Sequence, residues 1–112
     1  MSETVAADPV LALFRRELEK LYGARLQQAL LYGSRARGDH QPDSDYDVLV
    51  VLDGPFDHWT EVGRLAGLSD DILWRTIEQE NPVVASFKPM TPEQFQARTG
   101  FLHNVRKDAI LL

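Results

Sequence analysis

The run Ala29-Leu30-Leu31-Tyr32-Gly33-Ser34-Arg35-Ala36-Arg37-Gly38, followed after a polar turn by Asp45-Tyr46-Asp47-Val48-Leu49-Val50-Val51-Leu52, decides the fold of this 112-residue chain. Four apolar residues stopped by Gly33-Ser34 read as a short buried strand. Asp45 to Leu52 reads as a second, whose nearly continuous apolar run suits a central position covered on both faces. Between them, Ala36 to Ser44 is polar and turn-rich, with Gly38, Asp39, Gln41, Pro42 and Asp43.

Outward from this pair the chain alternates in type. Asp8-Pro9 predicts a helix start, with Asp8 as N-cap and Pro9 at the first helical position. Val10, Leu11, Phe14, Leu18, Leu21 and Tyr22 then recur at spacings of three and four until Gly23. Trp59 to about Glu80 has a helical pattern with an interruption expected around Gly67 to Asp70, where Ser69 could cap a new helix carrying Ile72, Leu73 and Ile77 toward the core. Asn81-Pro82 closes it. Val83 to Phe87 reads as a third strand, Thr91-Pro92-Glu93 as a capped helix start anchored by Phe95, and Thr99 to Asp108 as a short basic helix. Ala109 to Leu112 is apolar enough to add an edge strand or enter an interface. The expected fold is α/β (α+β): a small mixed sheet with helices packed against it.

Length predicts a single domain over residues 1–112 with one core. The absence of cysteine excludes a disulfide scaffold, a zinc ribbon and a thiol nucleophile. Twelve Lys plus Arg against 17 Asp plus Glu give a net charge of -5, which argues against duplex nucleic acid as the main partner. Met1-Ser2-Glu3-Thr4 has no basic n-region and no apolar stretch follows it, and the longest purely apolar run is Val48 to Leu52. No membrane segment or export signal is expected, and a cytoplasmic location is the default.

The chemistry concentrates at the quoted stretch. Asp45 and Asp47, two apart at the start of a strand, project from the same face. Paired carboxylates are costly to keep ionised where they are partly buried, and a divalent cation removes that cost. Mg²⁺ takes a few carboxylates together with substrate phosphates and keeps several waters. Gly33-Ser34 at a strand end allows a tight turn and close backbone approach; a short helix starting there would turn free amides and the Ser34 hydroxyl toward a phosphate. Of Arg35 and Arg37, one can reach a nucleotide while the other meets carboxylates or solvent. Taken singly, each piece also reads as ordinary structure: an acidic strand entry, a turn, Asp39 and Asp43 capping turns. Their combination is the signal.

Gly33-Ser34-Arg35-Ala36-Arg37-Gly38 with Ser44-Asp45-Tyr46-Asp47-Val48-Leu49-Val50 resembles the signature of the nucleotidyltransferase superfamily shared with DNA polymerase beta, and more narrowly the small stand-alone minimal nucleotidyltransferase (MNT) proteins. A weaker likeness extends over Pro82 to Lys107. The resemblance implies a polymerase beta-like fold, triphosphate binding by Ser34 at the Gly33 turn, and one or two Mg²⁺ ions on the catalytic pair Asp45 and Asp47; Arg35 and Arg37 are the further nucleotide-binding candidates, at most one of them reaching it. It implies attack by a hydroxyl on the α-phosphorus of ATP or another NTP, releasing pyrophosphate. Active members usually carry a third carboxylate on the strand after the intervening helix. Here that strand, Val83 to Phe87 followed by Lys88, has none; Asp70, Asp71, Glu78 or Glu80 on the preceding helix would have to swing in.

MNT proteins are commonly paired with HEPN-type proteins in toxin–antitoxin systems, so the resemblance implies either AMP transfer to a HEPN-type partner or neutralisation of that partner by contact without transfer. A homo-oligomer is the other assembly the small size suggests. A purely structural domain would leave the signature without a use. Outside it, His40, His58 and His103 lack metal-ligand spacing. Trp59 and Trp74 read as core or partner-surface residues, Tyr32 and Tyr46 as packing. Arg98, His103, Arg106 and Lys107 form either a solvated basic face or a surface for phosphates, RNA or an acidic partner.

Overall fold

Asp8 caps the first helix, accepting from the amides of Val10 at 2.9 Å and Leu11 at 3.4 Å, and Pro9 opens it. The computed structural model describes residues 8–112, so Met1-Ser2-Glu3-Thr4 lies outside the described residues. In chain order the elements are α1 (Pro9–Tyr22), a 3-10 turn (Gly23–Arg25), β1 (Leu26–Tyr32), α2 (Ser34–Arg37), β2 (Tyr46–Leu52), α3 (His58–Glu78), β3 (Ala85–Met90), α4 (Pro92–Phe95), α5 (Gly100–Asp108) and β4 (Ile110–Leu111). The sheet order is β3-β2-β1-β4. β1 runs antiparallel to β2 and β4, and β2 runs parallel to β3, so the sheet is mixed, as expected.

Alternation along the strands divides the core in two. Leu31, Val48, Val50 and Leu52 pack with Leu11, Phe14 and Leu18 of α1 and Leu65 and Ile72 of α3. Leu30, Leu49 and Val51 face the other way, against Leu102, Val105 and Ala109, with Phe95 beside them. β2, buried from Val48 to Leu52, is the central strand its apolar run implied.

Two elements, α3 and β3, depart from expectation. α3 runs unbroken from His58 to Glu78, and Ser69 sits inside it rather than capping a second helix. Leu65 and Ile72, seven residues apart, lie buried on one face, and their shared burial carries the helix across Gly67. Ile77 is exposed instead of turning toward the core, and Trp59 and Trp74 point to solvent rather than into the core. β3 begins at Ala85 and continues through Lys88-Pro89-Met90. As an edge strand it accommodates Pro89, which has no N–H to donate. The apolar C-terminus supplies the edge strand β4, pairing Leu111 with Leu30 and Ile110 with Leu31. Among the described residues, no helix is long and apolar enough to cross a membrane.

Candidate active site

Pairing Tyr32 with Asp47 puts the end of β1 and the start of β2 at the same end of the sheet. The Gly33 turn therefore lies directly beside the Asp-Tyr-Asp entry to β2. Gly33 has φ 77 and ψ -159, a conformation essentially reserved for glycine. A Cβ added there would meet Oδ2 of Asp47 at 2.7 Å. The carboxylate rests against bare backbone. From the turn, α2 starts: the Ala36 and Arg37 amides both donate to the Gly33 carbonyl at 3.1 Å. Such a helix start leaves the Ser34 and Arg35 amides without an in-helix acceptor, beside the Ser34 hydroxyl. Gly38 ends α2 in the left-handed region, its amide donating to the Ser34 carbonyl at 2.9 Å.

Asp45 is exposed just ahead of β2, whereas Asp47 is half-buried within it. Burial first, and the Asp45 charge second, push the Asp47 carboxyl above its ordinary value. Burial and the Asp47 charge likewise push Tyr32 up. For both groups burial is the larger cause and the neighbouring negative charge the smaller. Tyr46 takes the opposite face, edge-on to Phe14 with centroids 5.4 Å apart, as its packing role required. Two carboxylates with open space for phosphates and water suit Mg²⁺, which rarely uses a complete protein cage. Among the described residues, no group of three or more His, Cys, Asp or Glu could hold a metal on its own.

Arg35 and Arg37 separate in role. The Arg35 guanidinium donates to the Ser44 carbonyl at 3.0 Å, the Pro42 carbonyl at 3.1 Å and the Tyr46 hydroxyl at 3.3 Å. It also lies 4.2 Å from the Tyr46 ring centroid. Arg35, grouped by the sequence with the nucleotide contacts, is committed to holding the loop that delivers Asp45. Arg37 is exposed and pairs only loosely with Asp39, at 3.2 Å. Asp39 is thus an ion-pair partner, and the 41–44 turn is closed by Ser44, whose Oγ accepts from the Gln41 amide at 2.9 Å.

The strand expected to carry a third acid presents Ser86 in register with Asp47, and Lys88 in register with Leu49. Neither is a carboxylate. None of Asp70, Asp71, Glu78 and Glu80 forms a metal-capable group with the pair. α3 packs on the sheet face opposite Asp47, and Asp71 is paired with Arg75 at 2.8 Å. What stands beside the site instead is α5. Phe101 meets Tyr32 edge to face at 5.5 Å, and Lys88 Nζ lies 5.1 Å from the Phe101 centroid. In the sequence this wall is signalled only by the helical spacing of Phe101, Asn104 and Asp108. His40, His58 and His103 are all exposed. Arg106 closes the α4–α5 turn by donating to the Phe95 and Ala97 carbonyls at 2.7 and 3.1 Å. A cavity of about 470 Å³ among Arg15, Leu26, Gln28 and Leu112 lies at the far end of β1, away from the carboxylates.

Known proteins share parts of this chain's sequence and its fold. Two curated proteins of Methanocaldococcus jannaschii match short segments. "Putative protein adenylyltransferase MJ0604" is 42% identical over 45 residues, 40% of this chain and 45% of that protein. "Putative protein adenylyltransferase MJ0141" is 36% identical over 39 residues, 35% of this chain and 39% of that protein. The matches thus span less than half the length of these curated relatives. Among solved structures, a toxin–antitoxin crystal structure with AMP-PNP superposes with a TM-score of 0.51 at 18% identity, covering 87% of this chain and 68% of that one. A mutant of the MntA-HpeT toxin–antitoxin superposes with a TM-score of 0.53 at 19% identity, covering 90% and 70%. These likenesses show a shared fold. The family described as nucleotidyltransferase domain matches residues 11–110, nearly the whole chain, and the protein belongs to that family.

Proposed function

We propose that the chain is a single minimal nucleotidyltransferase domain of the cytoplasm, transferring AMP from ATP to a hydroxyl of a protein partner of the HEPN type in the presence of Mg²⁺. The observation that carries this reading is the Asp47 carboxylate seated against the Gly33 turn, with Asp45 two residues earlier. Gly33 gives the phosphate chain access to the backbone, and the Ser34 hydroxyl and amide donate to phosphate oxygens. Arg37 adds an exposed positive charge. Arg35 keeps the Pro42–Ser44 loop in place and so fixes where Asp45 stands. Asp45 and Asp47 would hold the Mg²⁺. The chemistry supplied there would be neutralisation of charge on the α-phosphate and on the departing pyrophosphate.

The acceptor oxygen forms a bond to the α-phosphorus as the bond to the β-phosphate oxygen breaks. Pyrophosphate leaves, and the hydroxyl proton passes to water. The protein names of the curated relatives and the toxin–antitoxin setting of the structural neighbours support this reading. A second reading, neutralisation of the partner by contact with slow transfer or none, draws on Ser86 and Lys88 occupying the strand beside Asp47. Incubating the protein with labelled ATP, Mg²⁺ and a HEPN-type partner separates the two. Label on the partner that disappears with Asp47→Asn or with chelator establishes transfer. A tight complex without label, unaffected by Asp47→Asn, establishes the contact mode.

A further inference from the structure

Between α5 and the Gly33 turn lies a cavity of about 230 Å³, lined by Tyr32, Gly33, Arg37, Phe101, Asn104 and Asp108. We propose that it is a nucleobase subsite selecting a heterocycle that bears an exocyclic amino group, as adenine does. The inference rests on the nucleotide reading above and adds what that reading lacks, a reason for one base over another.

The cavity is smaller than the ~300–1,000 Å³ typical of pockets enclosing a whole ligand, so it takes a fragment of one. Gly33 belongs both to its wall and to the cradle of Asp47. A nucleotide with its phosphates at the carboxylates therefore has its organic end within reach of α5. Arg37 is among the lining residues. Phe101, 41% exposed, is held from two directions by Tyr32 and Lys88 yet still presents ring surface. An aromatic fixed in this way suits stacking on a planar base.

The polar groups supply the selection. Asn104 and Asp108 follow Phe101 on the same side of α5, at spacings of three and seven residues, and both line the cavity. The Asn104 amide offers a donor and an acceptor together, the pair that an amino group beside a ring nitrogen answers. Ionised Asp108 only accepts. A base amino group satisfies it, and a carbonyl at the same place opposes it acceptor to acceptor. Asp108 also sits in the last turn of α5, where the helix dipole disfavours a carboxylate. Among the described residues it takes part in no ion pair. A half-buried acid placed against the dipole and left unpaired is accounted for by a ligand donor.

Calorimetric titration of the full chain with ATP, ITP and inorganic tripolyphosphate, each with Mg²⁺, tests this directly. ITP differs from ATP in carrying a carbonyl where adenine carries its amino group. ATP is expected to bind roughly tenfold more tightly than either competitor, the value of about one well-made hydrogen bond. Asn104→Leu should collapse the ATP advantage over tripolyphosphate. Asp108→Asn, which can donate to a carbonyl, should shift the ATP-to-ITP ratio toward ITP. Tripolyphosphate binding with no ATP advantage would overturn the subsite and leave the phosphate cradle standing. Ratios unmoved by both substitutions would overturn it as well. Silence from ATP and tripolyphosphate alike would remove the nucleotide reading and the subsite with it.

Discussion

Gly33 and Asp47 show how one backbone position can set both stability and chemistry. Any side chain at position 33 must adopt φ 77 and also displace Oδ2 of Asp47. Gly33→Ala is expected to cost about 1–3 kcal/mol through backbone strain. The larger loss should appear in MgATP affinity, because the Asp47 carboxylate can yield to the methyl group only by leaving the position at which it is proposed to hold Mg²⁺. Urea unfolding and nucleotide titration on the same preparation would separate the two. Equal losses of stability and affinity would argue against a role for the seat itself. Arg35 acts one step back. Its planar fork meets two loop carbonyls and the Tyr46 hydroxyl while stacking on the ring. Arg35→Ala should destabilise by about 1–3 kcal/mol, and Arg35→Lys should recover little of it, since an ammonium cannot reproduce a stacked fork. A melt showing full recovery with lysine would contradict that account. The Gly-Ser turn and the Asp-Tyr-Asp entry were each legible in the sequence because each is a short contiguous motif at a strand end, whereas their contact through Gly33 and Asp47 comes from the pairing of β1 with β2. The commitment of Arg35 was not legible, because its partners arrive through the loop of residues 38–45, whose path depends on Ser44 and Gln41.

Among the elements, α3 best separates local preference from tertiary burial. Gly63 and Gly67 weaken a helix locally, and Ser69 can cap one, so a break is the reasonable local expectation. The structure overrides it because Glu61, Leu65, Ile72 and Thr76 are buried along one face. Thr76 then ends the helix productively: its hydroxyl donates to the Ile72 carbonyl at 2.8 Å and accepts from the Val83 amide at 2.9 Å, tying α3 to the approach to β3. An added Cβ at Gly63 or Gly67 meets nothing within 4 Å. Gly63→Ala and Gly67→Ala should therefore each stabilise the protein by roughly 0.5–1 kcal/mol. A denaturation midpoint that falls in either variant would mean that this face is covered in solution. The ends of β3 were misplaced for a related reason: Lys88-Pro89 looks like a strand terminator until its edge position is known. The capping of α1, α4 and α5 by Asp8, Thr91 and Thr99 was open to local reading, since each cap bonds within three residues.

At the scale of the molecule, the sheet segregates stability from the site. α1 and α3 share one face and seal the larger core; the carboxylates and α5 share the other. The seam between α1 and α3 is fastened by Glu17, which accepts from Arg75 across the interface and pairs with Lys20 at 3.3 Å, while Arg75 also holds Asp71. The hydrogen bond from Arg75, reinforced by Lys20, outweighs burial and keeps the Glu17 carboxyl below its ordinary value of 4.5. The unfolded chain therefore binds the Glu17 proton more readily than the folded chain does. Between the depressed folded value and 4.5, stability must rise with pH. The contribution is complete above 4.5 and is lost as pH falls through the folded value. Glu17→Gln abolishes that titration while keeping a group that can still accept from Arg75. The variant should be less stable than the parent at neutral pH and should lose less on acidification, so that the two melting curves converge toward low pH. Melting temperatures that stay a constant distance apart from neutral pH down to the acid limit would show that the seam is held by packing and that the Glu17 charge contributes nothing to it.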